Sequence, residues 1–238
     1  MSSMSKFAVI PVIDLKGGVA VHAKGGKRAD YRPLETPFGP AADPLAIARG
    51  LLDVTGSTAL YIADLDAIEG RGNNYSLCRD LADVLPTTTL WVDAGFSDAD
   101  ECAFWLPLGA TLVIGSETLA SHDNWKDIHA NLGDGAMLSL DFDGATMRGP
   151  QTLLAETELW PERLIVMSLD RVGTGEGPDL DRLKSVCARE GERTVYAAGG
   201  IRNSGDLAKV KETGARGALV ATALHTGAVT QKEIAALA

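Results

Sequence analysis

Five apolar runs of this chain end on, or lead straight into, carboxylates. Asp14 closes the run 7–14, Asp64 and Asp66 follow 59–63, and Asp93 closes 89–93. Asp141 closes 136–141, and Ser168 and Asp170 stand at the end of 163–168. Three other runs end on small residues: Gly115-Ser116 after 111–115, Gly199-Gly200 after 194–198, and Ala221-Thr222 at the end of 217–221. Carboxyl groups gathered at one mouth can divide proton donation from proton abstraction when their surroundings separate their pKa values. Consecutive small residues let backbone N–H groups close around an anion such as phosphate. Together these types point to acid–base chemistry on a small phosphorylated molecule.

Such residues converge only if the runs are parallel strands of one sheet. The eight runs recur roughly every 30 residues, as βα units require. Amphipathic stretches at 43–53, 75–85, 98–106, 124–131, 179–190 and 203–213 fit helices between them, with Asp43 before Pro44, Asp98 and Asn203 as caps. Eight βα units in a chain of 238 residues predict an α/β fold, a TIM (β/α)8 barrel, with its chemistry at the C-terminal strand ends. An open doubly wound sheet is the alternative, but no Gly-rich fingerprint follows the first strand, which runs on into Leu15-Lys16-Gly17-Gly18. The chain also repeats itself. Asp93-Ala94-Gly95-Phe96, Gly109-Ala110 and Gly115-Ser116 share one plan with Ala198-Gly199-Gly200-Ile201, Gly214-Ala215 and Ala221-Thr222. The pairs Ala94/Gly199 and Gly109/Gly214 share one offset of 105 residues. A repeat this long predicts a barrel of two similar half-barrels. No linker or composition shift divides it, so one domain over 1–238 is expected, with 1–6 disordered.

The net charge of −10 and the pI of about 4.8 argue against nucleic acid or an anionic membrane as partner. No apolar run approaches the ~18–20 residues of a membrane span, and the polar start has no signal-peptide core. Cys78, Cys102 and Cys187 are scattered and form no CxxC pair, which fits reduced thiols of a cytoplasmic protein. His122, His129 and His225 show no metal-ligand spacing and read as surface or capping residues, so no metal is expected. Lys24, Lys27, Arg28 and Arg32 make the stretch 16–40 basic, which suits a mobile cationic lid over an anionic ligand. His22 stands within reach of substrate in the same loop.

Several motifs, taken in order, resemble the histidine-biosynthesis barrel family of the HisA isomerase and the HisF cyclase. They are Ile10-Pro11-Val12-Ile13-Asp14-Leu15-Lys16-Gly17-Gly18, Leu60-Tyr61-Ile62-Ala63-Asp64-Leu65-Asp66-Ala67, Ser139-Leu140-Asp141, Arg171-Val172-Gly173-Thr174 with Gly177-Pro178, and Ala198-Gly199-Gly200-Ile201 with Asp206-Leu207. The likeness spans nearly the whole chain and is closest to the isomerase. It implies an Amadori rearrangement of an N-linked aminoaldose phosphate to the aminoketose, without a cofactor. It assigns general acid and base to Asp14 and Asp141, with Thr174 assisting. Gly199, Gly200, Ala221 and Thr222 would hold phosphate, and His22, Lys24, Asp64, Asp93, Gly95, Gly115, Ser116, Gly173 and Gly177 are candidate substrate contacts.

The first half departs from the pattern. Where the family carries Gly-Gly-Gly-Ile-Arg after the third strand, this chain has Asp93-Ala94-Gly95-Phe96-Ser97, and Val172 replaces an Asp in the sixth loop. Two unit negative charges ~4 Å apart at an effective dielectric of 20 repel by about 4 kcal/mol, so Asp93 opposes a second phosphate, although lid cations could compensate. A related barrel acting on a different, singly phosphorylated substrate, as in one-carbon-carrier coenzyme synthesis, is therefore an alternative. A cyclase drawing ammonia from a glutaminase subunit is disfavoured, because the first strand lacks the Cys-Leu-Asp of the cyclase. A non-catalytic phosphate-binding barrel is the remaining alternative. The sequence sets no oligomeric state.

Overall fold

The computed structural model describes residues 6–23 and 31–237. Its strands are β1 Ala8–Lys16, β2 Val19–Val21, β3 Ala59–Asp64, β4 Thr89–Asp93, β5 Thr111–Gly115, β6 Ala136–Asp143, β7 Thr146–Met147, β8 Arg163–Ser168, β9 Thr194–Ala198 and β10 Gly217–Val220. Eight of these, all but β2 and β7, pair in parallel in the order β1-β3-β4-β5-β6-β8-β9-β10, and β10 returns to β1 through Ala8↔Gly217. The sheet is a closed (β/α)8 barrel, as the spacing predicts.

The side-chain period of two explains how one set of strands builds two cores. Along β3, Leu60 and Ile62 pack outward with the helices, while Ala59, Tyr61 and Ala63 pack inward. Ile10, Trp91, Val113, Met137, Ile165, Ala198 and Leu219 continue the inner cluster around the barrel. The outer core is closed by helices such as Pro44–Thr55, which buries Ile47, Ala48 and Leu51. Its start is set by Pro44 in the first turn and by the Asp43 side chain, which accepts from the Leu45 N–H. Asp98 and Asn203 cap their helices in the same way, accepting from the N–H groups of Glu101 and Asp206. Among the described residues, no helix is long and apolar enough to cross a membrane.

Two short strands lie outside the sequence expectation. β2 folds back antiparallel on β1 with Lys16 facing Val19, and β7 folds back on β6 with Asp143 facing Thr146. Gly17 and Gly18 both take positive φ, 60° and 79°, which a tight two-residue hairpin turn demands. The two hairpins extend the first and fifth barrel strands, so each half of the barrel opens with the same device. At three and two residues they are too short to leave a periodic signal.

Candidate active site

Inward parity decides which strand-end residues share a space. Asp14 continues the inner row of Ala8, Ile10 and Val12 and lies level with Ala63, which is level with Asp93 on β4. On β6, Asp141 stands two residues past Ser139 and four past the inner Met137, level with Met167 and, through it, with Ala198. Asp14 and Asp93 thus face the C-terminal mouth, and Asp141 has the same inward parity on the strand opposite Asp14. A cavity of about 470 Å3 opens there, and Asp14, Asp93, Tyr61, His22, Thr174 and Gly173 are among its walls. So are Gly199, Gly200, Ala221 and Thr222.

Asp141 is 4% exposed and lies behind this wall. Its Oδ1 accepts from the Ser139 hydroxyl at 2.6 Å, its Oδ2 accepts from the Glu117 N–H at 3.2 Å, and its own N–H donates to Ser116 Oγ at 2.9 Å. A Cβ at Gly115 would lie 2.9 Å from Oδ2, so the carboxyl rests against bare backbone. Burial raises the Asp141 pKa from its ordinary 3.8 to about 8; the Ser139 and Glu117 hydrogen bonds oppose the rise, while Asp93 and Glu117 add to it. This rise favours the protonated carboxyl at neutral pH. Gly115 and Ser116 therefore position Asp141 and do not line the cavity.

Tyr61, which sequence reasoning left unassigned, reaches up the barrel axis and donates its hydroxyl to Asp93 Oδ2 at 3.0 Å; Oδ1 accepts from the Gly95 N–H at 3.1 Å. Desolvation, then the charges of Asp93 and Asp141, push the phenol pKa well above its usual value, so Tyr61 stays a neutral donor. The turn beyond is closed. A Cβ on Gly95 would meet Ile68 Cα at 2.9 Å, and the Gly149 backbone packs so tightly on the Ser116 carbonyl that a side chain there would collide with it. Gly95 lies outside the cavity lining.

The equivalent turns of the second half stay open to the cavity. Gly199 and Gly200 have φ of 93° and 83°, and a side chain on either would strike the Ser168 or Gly177 carbonyl. Only glycine fits both the conformation and the space. Gly177 is buried outside the lining, and its carbonyl accepts from the Arg171 guanidinium at 3.0 Å. Arg171 itself faces the cavity, with its Nε buried and without a hydrogen-bond partner. Thr174 is exposed on the same loop, its hydroxyl on the Arg171 carbonyl at 3.1 Å.

Two histidines border the cavity beside Thr222. His22 Nε2 lies 3.3 Å from the Thr222 hydroxyl, and His225 Nδ1 lies 3.1 Å from the Thr36 hydroxyl. His225 is thus a cavity residue, not the surface or capping residue its spacing suggested. Burial, aided by His22, lowers its pKa to about 4. Of the lid cations, Lys24, Lys27 and Arg28 lie outside the described residues, as do residues 1–5 of the expected disordered start. Arg32 borders a smaller cavity with His22 and His225.

Asp64 follows the opposite parity to Asp93 and turns outward, fully buried. It accepts from the Ala67 N–H at 3.2 Å, the Asn74 N–H at 2.6 Å and Asn74 Nδ2 at 2.7 Å. Asp66 accepts from the Gly17 N–H, tying the first hairpin to this node. Asp64 therefore braces loops instead of lining the cavity. Asp64→Ala would strand buried donors, each worth ~1–3 kcal/mol, and should lower stability by about 3 kcal/mol in urea titration. A loss below ~1 kcal/mol would rule out this bracing role.

The fold and its mouth define a TIM barrel with a carboxylate-bearing cavity at the C-terminal strand ends. Over residues 8–230 the chain matches the family described as histidine biosynthesis protein, and it belongs to that family. It is 31% identical to phosphoribosyl isomerase A of Streptomyces coelicolor, across 97% of this chain and 98% of that protein. Phosphoribosyl isomerase A of Streptomyces avermitilis is 30% identical, with 96% of each chain covered. An uncharacterized protein of Methanocaldococcus jannaschii is also 30% identical, across 95% of this chain and 96% of its own length.

Proposed function

We propose that the protein is a cofactor-independent isomerase that converts an N-linked aminoaldose phosphate to the aminoketose. The observation that carries this reading is the pairing of Asp14, on the cavity wall, with Asp141 on the opposite strand, a carboxyl whose pKa burial lifts to about 8. Asp141, protonated at neutral pH, delivers its proton to the ring oxygen as the sugar opens to a Schiff base. Asp14 takes the C2 proton to give the enolamine; Asp14 then returns its proton to C1 while the Asp141 carboxylate takes the proton of the C2 hydroxyl, which gives the ketose and restores both carboxyl groups. Positioned proton transfers of this kind contribute ~10²–10⁴-fold each. Substrate binding must bring Asp141 out from behind the lining, and the 3.2 Å contact from Glu117 is the longest of its bonds. Gly199, Gly200 and the Ala221-Thr222 turn hold the phosphate, with His22 beside them. Gly173 and Thr174 cover the sugar. The isomerase names of the relatives support the reaction type.

A second reading concerns the substrate. The second-half turns line the cavity, whereas Gly95, Gly115 and Ser116 do not. This favours a singly phosphorylated substrate over a bisphosphate. Turnover of the histidine-pathway aminoaldose bisphosphate by purified protein, with Asp14→Asn as control, separates the readings. Turnover lost in the variant supports the pathway substrate. No turnover by folded protein favours a related barrel with a changed substrate.

A further inference from the structure

Among the described residues, two guanidinium groups stand on the cavity wall, those of Arg171 and Arg202. They meet at one glycine. Arg171 donates to the Gly177 carbonyl at 3.0 Å. The Arg202 guanidinium lies face-on against the same residue: a Cβ at Gly177 would stand 3.0 Å from Nη2, 3.1 Å from Cζ and 3.4 Å from Nε. The Gly177 carbonyl in turn rests against the open glycine turn, where a Cβ at Gly200 would stand 2.3 Å from it.

Arg202 is aimed by a buried carboxylate. Asp206, 2% exposed, accepts from Arg202 Nε at 2.8 Å, from Nη2 at 2.9 Å and from the Arg202 N–H at 3.0 Å. A two-oxygen pair of this kind fixes the plane of the guanidinium. It leaves Nη1, whose one hydrogen bond among the described residues is a 3.5 Å contact with the Gly175 carbonyl, long and weak for an N–H donor. The first half of the barrel repeats this frame without the cation. Ser97 and Glu101 stand 105 residues before Arg202 and Asp206, and the helix caps Asp98 and Asn203 share that offset. Glu101 accepts from the Ser97 N–H at 2.8 Å and from the Ser97 hydroxyl at 2.9 Å. The positive charge therefore stands only beside the glycine turn that opens to the cavity.

We infer that Arg202 is a specificity-determining residue whose Nη1 donates to a phosphate monoester seated on the Gly199-Gly200 turn, with Asp206 as the positioning residue that aims it. This rests on the phosphate site proposed above and supplies the cation that backbone N–H groups lack.

Calorimetric titration of the full chain with inorganic phosphate tests it without turnover. Arg202→Met should weaken binding at least ~10-fold, as loss of one charge-assisted hydrogen bond does. Arg202→Lys should stay at least ~3-fold weaker than wild type, because an ammonium cannot pair with Asp206 in two places and still present a donor in the same plane. Asp206→Asn should weaken binding in the wild-type background but change it by less than about twofold in the Arg202→Met background, a coupling that a merely structural carboxylate would not show. If Asp206→Asn does not melt cooperatively, Arg202→Lys carries the comparison. Unchanged affinity in Arg202→Met, full recovery by lysine, or an equal effect of Asp206→Asn in both backgrounds overturns the inference. If Arg202→Met binds phosphate as the wild type does while isomerisation remains Asp14-dependent, only this inference falls. If the wild type binds no phosphate at millimolar concentration, the inference falls together with the phosphate site. If the Arg202 pattern holds without any isomerisation, the isomerase reading falls instead.

Discussion

Asparagine at position 14 or at position 141 is expected to lower kcat at least ~10²-fold, with phosphate affinity nearly unchanged. Each variant removes one of the two proposed proton-transfer groups and nothing from the glycine turns proposed to hold the anion. Asp14 is a wall residue of the cavity, so its amide would fill the same space without basicity. Asp141 is held by the Ser139 hydroxyl and the Glu117 N–H, and an asparagine there keeps a carbonyl oxygen for one of them. The double variant should be little slower than either single one, because two groups acting in one proton relay are not additive. Steady-state kinetics on the true substrate, paired with phosphate titration, checks this. Near-full activity in both variants would remove the two-carboxylate mechanism.

The second large effect is a pH response that belongs to Asp141. In the proposed mechanism the acid form does the work, so kcat should fall above about pH 8, approaching tenfold per pH unit, and this limb should vanish in Asp141→Asn. Stability carries the same signature with a definite sign. The folded-state pKa is raised, from 3.8 to about 8. The folded chain therefore holds a proton that the unfolded chain releases throughout that window. Its contribution is fully present below about pH 4 and is lost as pH rises toward 8, at up to about 1.4 kcal/mol per pH unit. Asparagine, neutral at every pH, removes this slope. Urea titrations of wild type and Asp141→Asn at about pH 5 and pH 7.5 should show the variant gaining on the wild type at the higher value. Parallel stabilities at the two pH values would mean that Asp141 is ionised throughout.

Much of this protein is legible along the chain. Apolar runs at regular intervals set the eight barrel strands, and β4, β5, β8 and β9 start and stop at the expected residues, because β-branched and apolar runs bounded by Gly, Asp and Thr leave little choice of register. The helix caps at Asp43, Asp98 and Asn203 are equally local, since each needs only a side chain two or three residues from the N–H it accepts. The placement of Asp14, Asp93 and Asp141 at strand ends follows from the same pattern.

What the chain does not carry locally is which way a strand-end residue faces and what lies across from it. Asp64 and Asp93 look alike in sequence, yet one braces Asn74 outside the barrel and the other lines the cavity. The difference is a single residue of parity, which becomes visible only when Ala63 is seen level with both Asp14 and Asp93. The hydroxyl of Tyr61 meeting Asp93 across 32 residues, the burial that keeps Asp141 protonated, and the Ile68 contact that closes the Gly95 turn all depend on segments far apart in the chain. Local propensity determined the strands, the caps and the residue types at the mouth. Strand register and the desolvation it imposes decided which of those residues became an acid, a brace or a wall.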